Sequence, residues 1–187
     1  MSGRFVIRNE SSDAFAEVDE LANQLVTIEA THHRVHEGAF FSLGVASGTL
    51  ANNASLEILI QTPADFGIHM RGIASCGGDA TIDWFEGTTF SAAGTAITPA
   101  NRNRQSANVA RGTWTHTPTL TADGTSLFST YILGGTGGNA TGGSTGIFEE
   151  WILDQSQTYL LRLTNISGLV KVATLNIDFY DPSFEQE

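Results

Sequence analysis

The sequence predicts an all-β fold, an antiparallel β-sandwich of the jelly-roll type, with a short N-terminal arm that contains a helix. Three observations predict it. Hydrophobic residues make up 41% of the 187 positions, enough for the core of one domain of this length. Charged residues make up only 16%, whereas about 25% is typical, and 20 residues are glycine. Short segments of alternating apolar and polar residues follow one another, with turn-forming residues between them.

Residues 1–30 are predicted to form an arm with a short amphipathic helix. Residues 11–13 offer N-cap side chains. A helix of about two to three turns is too short to be stable alone, so we expect it to dock on the β-domain or on a neighbouring subunit. The apolar stripe of this helix consists of Phe15, Val18, Ala22 and Leu25, with Leu21 beside it, and these five are candidate interface residues.

From Val26 onward the hydrophobic period becomes two, which indicates strands, and residues 31–187 are assigned to the sandwich. Pairs such as Gly77-Gly78 and Asp123-Gly124 mark the turns. A first strand begins at Val26, and the later ones are residues 36–45, 55–61, 67–73, 80–86, 113–119, 127–133, 149–153, 158–165 and 170–180. Roughly eight to ten strands fit the two packed sheets of a jelly roll.

Alternation within three of these strands predicts which side chains form the core. Residues two apart on a strand point to the same face of the sheet. The predicted core set is Ile82, Trp84, Tyr159, Leu161, Leu163, Leu175, Ile177 and Phe179.

The charge pattern excludes several classes of partner. The net charge is -11, and Lys171 is the only lysine, so the surface repels phosphate backbones and no nucleic-acid partner is expected. No apolar run reaches the ~20 residues of a membrane span, and the N-terminus lacks a signal-peptide pattern. We therefore expect synthesis in a cytoplasm and no membrane partner. Cys76 is the single cysteine, which excludes an intrachain disulfide.

Clustered histidines suggest a metal hypothesis, which we tested against strand geometry. His32, His33 and His36 lie within five residues, and His69 follows later. Cupins hold a metal with a comparable set of histidines on a jelly roll. The segment is expected to be a strand, in which His32 and His36 would be about 13 Å apart, too far for two ligands of one ion. We expect no metal and no other cofactor, and we interpret the imidazoles as cross-strand or subunit contacts, with His33 and His36 as interface candidates.

No catalytic constellation is visible. Serines are frequent, but none lies in a Gly-x-Ser-x-Gly elbow. The adjacent pair Glu149-Glu150 would point to opposite faces of a strand and could not flank one bond. The sequence therefore predicts a protein without catalytic residues.

The string Asn101-Arg102-Asn103-Arg104 is the most unusual one in the chain. If the segment is extended, Arg102 and Arg104 share one face, and Asn101 and Asn103 share the other. Guanidinium groups on an acidic protein are natural partners for carboxylates, either within the chain or across an interface. All four residues are candidate interface residues, and a solvated loop is the alternative.

Several strings together resemble a family of small tailed-phage structural proteins. They are VTIEATHHRVHEGAFF (26–41), FGIHMRG (66–72), GTAITPANRNRQS (94–106), EEWILDQSQTYLLRLTN (149–165) and NIDFYD (176–181). Members are similar in a His-His-x-x-His motif followed by Gly and aromatic residues, a later lone His, and an Asn-Arg-Asn-Arg segment. The resemblance implies a capsid-decorating or other exterior virion protein and assigns no catalytic residue.

The leading functional hypothesis is therefore a decoration, or cement, protein on the outer surface of a phage head. Its expected partner is the major capsid protein or another virion protein, and a homotrimer is favoured by analogy with jelly-roll decoration proteins. One alternative is a tail, baseplate or fibre-associated protein that binds host glycans through exposed aromatics such as Trp84 or Trp114. Another is a cupin-like metalloenzyme that uses His32, His33, His36 and His69.

Overall fold

Alternating apolar and polar residues form strands through most of the chain. The fold is seen in a computed structural model, whose described residues are 8–9, 12–15, 18–19, 24–25, 30–134, 142–146 and 150–184. The elements are β1 (Arg8–Asn9), β2 (Ser12–Phe15), β3 (Val18–Asp19), β4 (Gln24–Leu25), α1 (Ala30–His36), β5 (Phe40–Leu50), β6 (Ser55–Gln61), β7 (Ile68–Cys76), β8 (Ala80–Glu86), β9 (Thr89–Ala92), β10 (Thr95–Ala96), β11 (Ala100–Asn101), β12 (Thr113–His116), β13 (Thr119–Ala122), β14 (Thr125–Ile132), β15 (Gly143–Gly146), β16 (Trp151–Leu153), β17 (Thr158–Asn165), β18 (Lys171–Tyr180) and a 3-10 turn at Pro182–Phe184.

Two antiparallel sheets account for the body of the protein. Among the described strands, sheet I has the order β10-β12-β6-β17-β8-β14, and sheet II has the order β11-β5-β18-β7-β15, with β16 also paired to β7. The inner orders, β6-β17-β8-β14 and β5-β18-β7-β16, place most successive long strands in opposite sheets, which is the strand order of a jelly roll. The predicted antiparallel β-sandwich is confirmed.

The core lies between the two sheets and consists of the side chains that alternation predicts. Ile82, Trp84, Leu161, Leu175 and Ile177 are all completely buried. Aromatic rings join the two layers of the sandwich: Trp114 of sheet I stacks on Phe179 of sheet II, with ring centroids 4.2 Å apart. Aromatic pairs at such distances contribute about 0.5–1.5 kcal/mol beyond the area they bury.

An insertion between β8 and β14 adds to both sheets. Strand β10 pairs with β12 at one end of sheet I, and β11 pairs with β5 at one end of sheet II. Strands β9 and β13 pair with each other and form a separate ribbon. Of its strands, the sequence pattern predicted only the one at residues 113–119, where β12 lies, because the others are two to four residues long.

The β9–β13 ribbon crosses the outer face of sheet I. At one side, Thr115 donates a hydrogen bond to the carbonyl oxygen of Ala93, and at the other side Arg162 pairs with Asp123. Leu160, which by strand alternation points away from the core, is nevertheless completely buried. The ribbon therefore covers part of this face of the sandwich, around Leu160, with residues of the same chain.

The predicted helix in the N-terminal arm is wrong for the residues that the structure describes there. Strands β2, β3 and β4 occupy parts of residues 12–25, and β3 pairs antiparallel with β4 through Val18 and Leu25. Strand β1 pairs with β2 in the same way. Local pairing of this kind satisfies backbone hydrogen bonds that an isolated short helix satisfies poorly. Leu21 and Ala22 lie outside the described residues.

The strand predicted to start at His36 is also wrong at its beginning. Residues Ala30–His36 form helix α1, and strand β5 starts at Phe40. Thr31, Val35, Phe40 and Phe41, together with Gly38, favour a strand in the sequence. In the structure Gly38 has a positive φ and ends the helix instead. Among the described residues, no helix is long and apolar enough to cross a membrane.

Candidate interaction surface

Helix α1 ends in a glycine turn that only glycine fits. The amide of Ala39 donates to the carbonyl of Arg34 at 3.0 Å, and the amide of Gly38 donates to the carbonyl of Val35 at 3.1 Å. These are the two hydrogen bonds of a Schellman motif. Gly38 has φ of +70°, and a Cβ atom there would collide with the side chain of Ser106. The position therefore needs glycine both for its backbone angle and for space.

Asparagine side chains from the insertion cap the same helix end. Asn103 donates from Nδ2 to the carbonyl of His36 at 3.1 Å, and Asn101 donates to the carbonyl of Gly38 at 2.8 Å. Asn108 also donates to the Gly38 carbonyl, at 3.3 Å. The last carbonyls of a helix lack partners within the helix, so these amides satisfy groups that would otherwise need water. The His-His-x-x-His and Asn-Arg-Asn-Arg strings thus form one structural unit, which we call the helix-cap cluster (residues 30–38 and 101–108).

Within the helix-cap cluster, the side chain of Asn101 is buried and hydrogen-bonded to residues of its own chain. Its side chain is only 7% exposed, and its Oδ1 accepts from the amide of Asn103 at 2.9 Å. Arg104 donates to its carbonyl at 3.3 Å. The side-chain amide and carbonyl of Asn101 are thus bonded inside the cluster, and its role as an interface residue stays a prediction.

Arg102 lies at the surface and finds a carboxylate within its own chain. Its guanidinium is 3.5 Å from Asp178 and lies over the ring of Phe40, 5.0 Å from the centroid. Asp178 also accepts from the hydroxyl of Ser42 at 2.6 Å. The segment turns after Asn101 instead of continuing as a strand, so Arg102 and Arg104 do not share the face of an extended strand. The sequence left open whether these arginines pair with carboxylates of the same chain or of a partner. The structure shows an intrachain pair, Arg102 with Asp178.

The three histidines of the motif lie on α1, with their side chains exposed. The Nε2 atoms of His32 and His36 are 2.8 Å apart. His33 faces another direction, with its Nε2 3.1 Å from Glu37. His69 lies on strand β7, where its Nδ1 atom is 2.7 Å from Glu150. Among the described residues, no group of three or more His, Cys, Asp or Glu side chains could hold a metal ion.

A compact polar triad, His69, Glu150 and Tyr180, joins three segments of sheet II. The hydroxyl of Tyr180 donates to Glu150 Oε1 at 2.8 Å and lies 2.6 Å from His69 Nδ1. The rings of His69 and Tyr180 stack, with centroids 4.5 Å apart. Hydrogen bonds from His69 and then from Tyr180 lower the pKa of Glu150. No sequence motif signalled this triad, because its members are far apart in the chain.

The outer face of sheet II differs from that of sheet I in having no ribbon over its apolar side chains, as far as the described residues extend. Alternation along β7, β16 and β18 places Ile73, Ile152 and Val172 on this face, where they are 54%, 67% and 60% exposed. Between them stand small and polar side chains such as Ser75 and Asn176. The outer face of sheet II, which includes the polar triad, is our candidate interaction surface.

The two tryptophans named for glycan binding, Trp84 and Trp114, are not exposed. Trp84 is completely buried and Trp114 is 2% exposed, so neither ring can stack on a sugar. Both are core residues: Trp84 stacks on Tyr159 with centroids 5.6 Å apart. Alternation predicted the burial of Trp84, and the expectation of an exposed aromatic at these positions is wrong.

No protein-family model matches the chain, and no curated protein matches its sequence.

Proposed function

We propose that the protein is a structural component of a tailed-phage virion, a decoration protein that binds the outer surface of the capsid as a homo-oligomer. The observation that carries the proposal is the contrast between the two faces of the sandwich. Within the described residues, the chain covers part of sheet I with its own ribbon, although Tyr131 is 64% exposed beyond it, and it leaves Ile73, Ile152 and Val172 exposed on sheet II. Apolar side chains on a face that the chain itself leaves open are available as contact points for another protein.

The composition of this face supports protein contact. Ile73, Ile152 and Val172 stand among polar and charged side chains, including Arg71 and His69, so the face combines apolar contact points with hydrogen-bonding groups. Interfaces between proteins have this mixed character, with apolar contacts at the centre and polar groups around them. The net charge of -11 argues against a nucleic-acid ligand on the same face.

The rigidity of the body supports a role in reinforcement. Antiparallel pairing links the strands of each of the two sheets, and Arg162 ties the ribbon to sheet I. A rigid body that contacts two neighbouring capsid subunits stabilises the shell by mass action, because it binds only the assembled form. Homo-oligomers with cyclic symmetry match the local symmetry axes of a capsid, and we propose a trimer.

The experiment measures binding to capsids that lack the protein. Purified protein is mixed with capsids assembled without its gene, and the bound fraction is measured by sedimentation. We expect saturable binding by the wild-type chain and roughly tenfold or weaker binding by Ile73→Asp or Ile152→Asp, because each places a charge at the contact. Val109→Asp is the matched control, since Val109 is 70% exposed and lies in the insertion.

Three results would contradict the proposal. If the wild-type protein did not sediment with the capsids, the capsid would not be its partner. Equal binding by wild type, Ile73→Asp and Ile152→Asp would mean that the outer face of sheet II is not the contact. Light scattering of the purified protein measures the oligomeric state, and a strictly monomeric protein at all concentrations and on the capsid would contradict the trimer.

A further inference from the structure

On the exposed side of α1, the imidazole rings of His32 and His36 face each other through their Nε2 atoms. The Nε2 atoms of His32 and His36 are 2.8 Å apart, whereas their ring centroids are 4.6 Å apart. The rings are tilted by 53° and meet through their nitrogens instead of their faces. The two rings are thus hydrogen-bonded to each other, and a metal ion that took the place of the shared proton would have both imidazole nitrogens at one point of the protein surface.

The spacing of this pair is one that metal sites use. On a helix, residues four apart lie on the same face, and His-x-x-x-His is the pair of zinc ligands in the His-Glu-x-x-His motif. Strand geometry had argued against a shared ion at His32 and His36, but both residues belong to α1. On the helix the two imidazoles lie side by side, whereas on a strand they would be too far apart to share one ion.

We propose that His32 and His36 bind a divalent transition-metal ion through their Nε2 atoms. Imidazole suits Zn²⁺, Ni²⁺ and Cu²⁺, and it suits Mg²⁺ and Ca²⁺ poorly. At metal–nitrogen distances of 2.0–2.1 Å, two ligands of a tetrahedral ion are about 3.3 Å apart, so the nitrogens must separate by about half an ångström. Rotation about the bonds of two exposed side chains provides this movement. Water or a donor from a bound protein completes the coordination.

The fold holds the second ligand in place. The carbonyl of His36 accepts a hydrogen bond from Asn103, and the turn at Gly38 fixes the helix end next to it. His33, the third imidazole of the motif, contacts Glu37 and so is directed away from the pair. The site is therefore a two-histidine site on a fixed helix end, independent of the proposed contact through sheet II.

The experiment is a calorimetric titration of the full chain with NiCl₂ or ZnCl₂, using protein without a polyhistidine tag. We expect saturable binding of one ion per chain. His32→Ala and His36→Ala should each weaken it roughly tenfold or more, since even residues that only orient a ligand cost 10- to 100-fold when removed. His33→Ala and His116→Ala are the controls and should bind as the wild type does.

A spectroscopic measurement keeps the proposal testable without substitutions. Electron paramagnetic resonance of the wild-type chain with one equivalent of Cu²⁺ should show coupling to two imidazole nitrogens. Circular dichroism checks that each variant is folded. Absence of saturable binding, or wild-type affinity in folded His32→Ala and His36→Ala, would overturn the proposal. Because neither measurement involves capsids, failure here leaves the result of the capsid-binding experiment unaffected.

Discussion

Arg162 and Asp123 form a two-pronged ion pair that ties the ribbon to the outer face of sheet I. The guanidinium nitrogens Nη1 and Nη2 are 2.9 and 2.6 Å from the two carboxylate oxygens. Nε of Arg162 donates to Glu57 at 2.7 Å, so one guanidinium serves two carboxylates. The pairing lowers the pKa of Asp123 and raises that of Arg162. This contact joins residues 39 positions apart and holds the insertion over sheet I.

Removing this guanidinium should destabilise the protein. Arg162→Met leaves the half-buried Glu57 without its partner, and we expect the free energy of unfolding to fall by about 2 kcal/mol. The matched control is Arg111→Met, which breaks the ion pair with the exposed Asp65 and should change stability little. Urea unfolding at pH 7 measures both. Equal effects of the two substitutions would show that the ribbon is held by other contacts.

The glycine turn after α1 should be intolerant of a side chain. Gly38→Ala combines a left-handed backbone with a collision against Ser106, and we expect a loss of about 3 kcal/mol or more. Gly87 has a similar φ of +72°, but a Cβ atom added there would have no atom within 4 Å, so Gly87→Ala should cost about 1 kcal/mol. Thermal or urea unfolding compares the two. Recovery of more than half of the loss when Gly38→Ala is combined with Ser106→Gly would identify the collision as its larger part, and no difference between Gly38→Ala and Gly87→Ala would contradict a collision.

Loss of the asparagine caps should loosen α1 without unfolding the sandwich. Asn101→Ala removes a buried amide that donates to Gly38, and we expect a loss of about 2 kcal/mol, against about 1 kcal/mol for Asn103→Ala. Hydrogen exchange followed by mass spectrometry should show faster exchange in residues 30–40 for both. Exchange at the wild-type rate in that segment would mean that the amides do not stabilise the helix end.

The stability contribution of Glu150 should depend on pH in one direction. Its pKa is lowered from the ordinary 4.5, chiefly by the hydrogen bond from His69 and then by that from Tyr180. A lowered folded-state pKa means that the contribution is present above pH 4.5 and is lost as the pH falls through the lowered value. Glu150→Gln should therefore be less stable than the wild type at about pH 6, and the difference should shrink near pH 3. A difference that does not change between these pH values would contradict the triad.

The sequence predicts the body of the fold better than its additions. Strands β6, β8 and β17 have the predicted bounds, because alternation over seven or eight residues leaves one way to face a core. Helix α1 was missed because Thr31 and Val35 favour strands, although Gly38 after a last turn containing His33, Arg34 and His36 was a helix-end signal.

The sites were harder to predict than the strands. The Asn101 string and the histidine string were both recognised as unusual, but that one caps the other follows only from β11 pairing with β5. The triad of His69, Glu150 and Tyr180 depends on the register of β16 and β18 against β7. Strand register across a sandwich is a long-range property, and no local pattern in a single sequence specifies it.

The most direct test of the proposed function is a cryo-electron microscopy reconstruction of the phage particle in which it places this protein. The proposed function predicts density for this β-sandwich on the outer surface of the head at local symmetry axes. In that density, the outer face of sheet II, with Ile73 and Ile152, should lie against the capsid protein or a neighbouring copy. Density confined to the tail, no density for the protein in the particle, or a head-bound copy whose sheet II faces solvent would contradict the account.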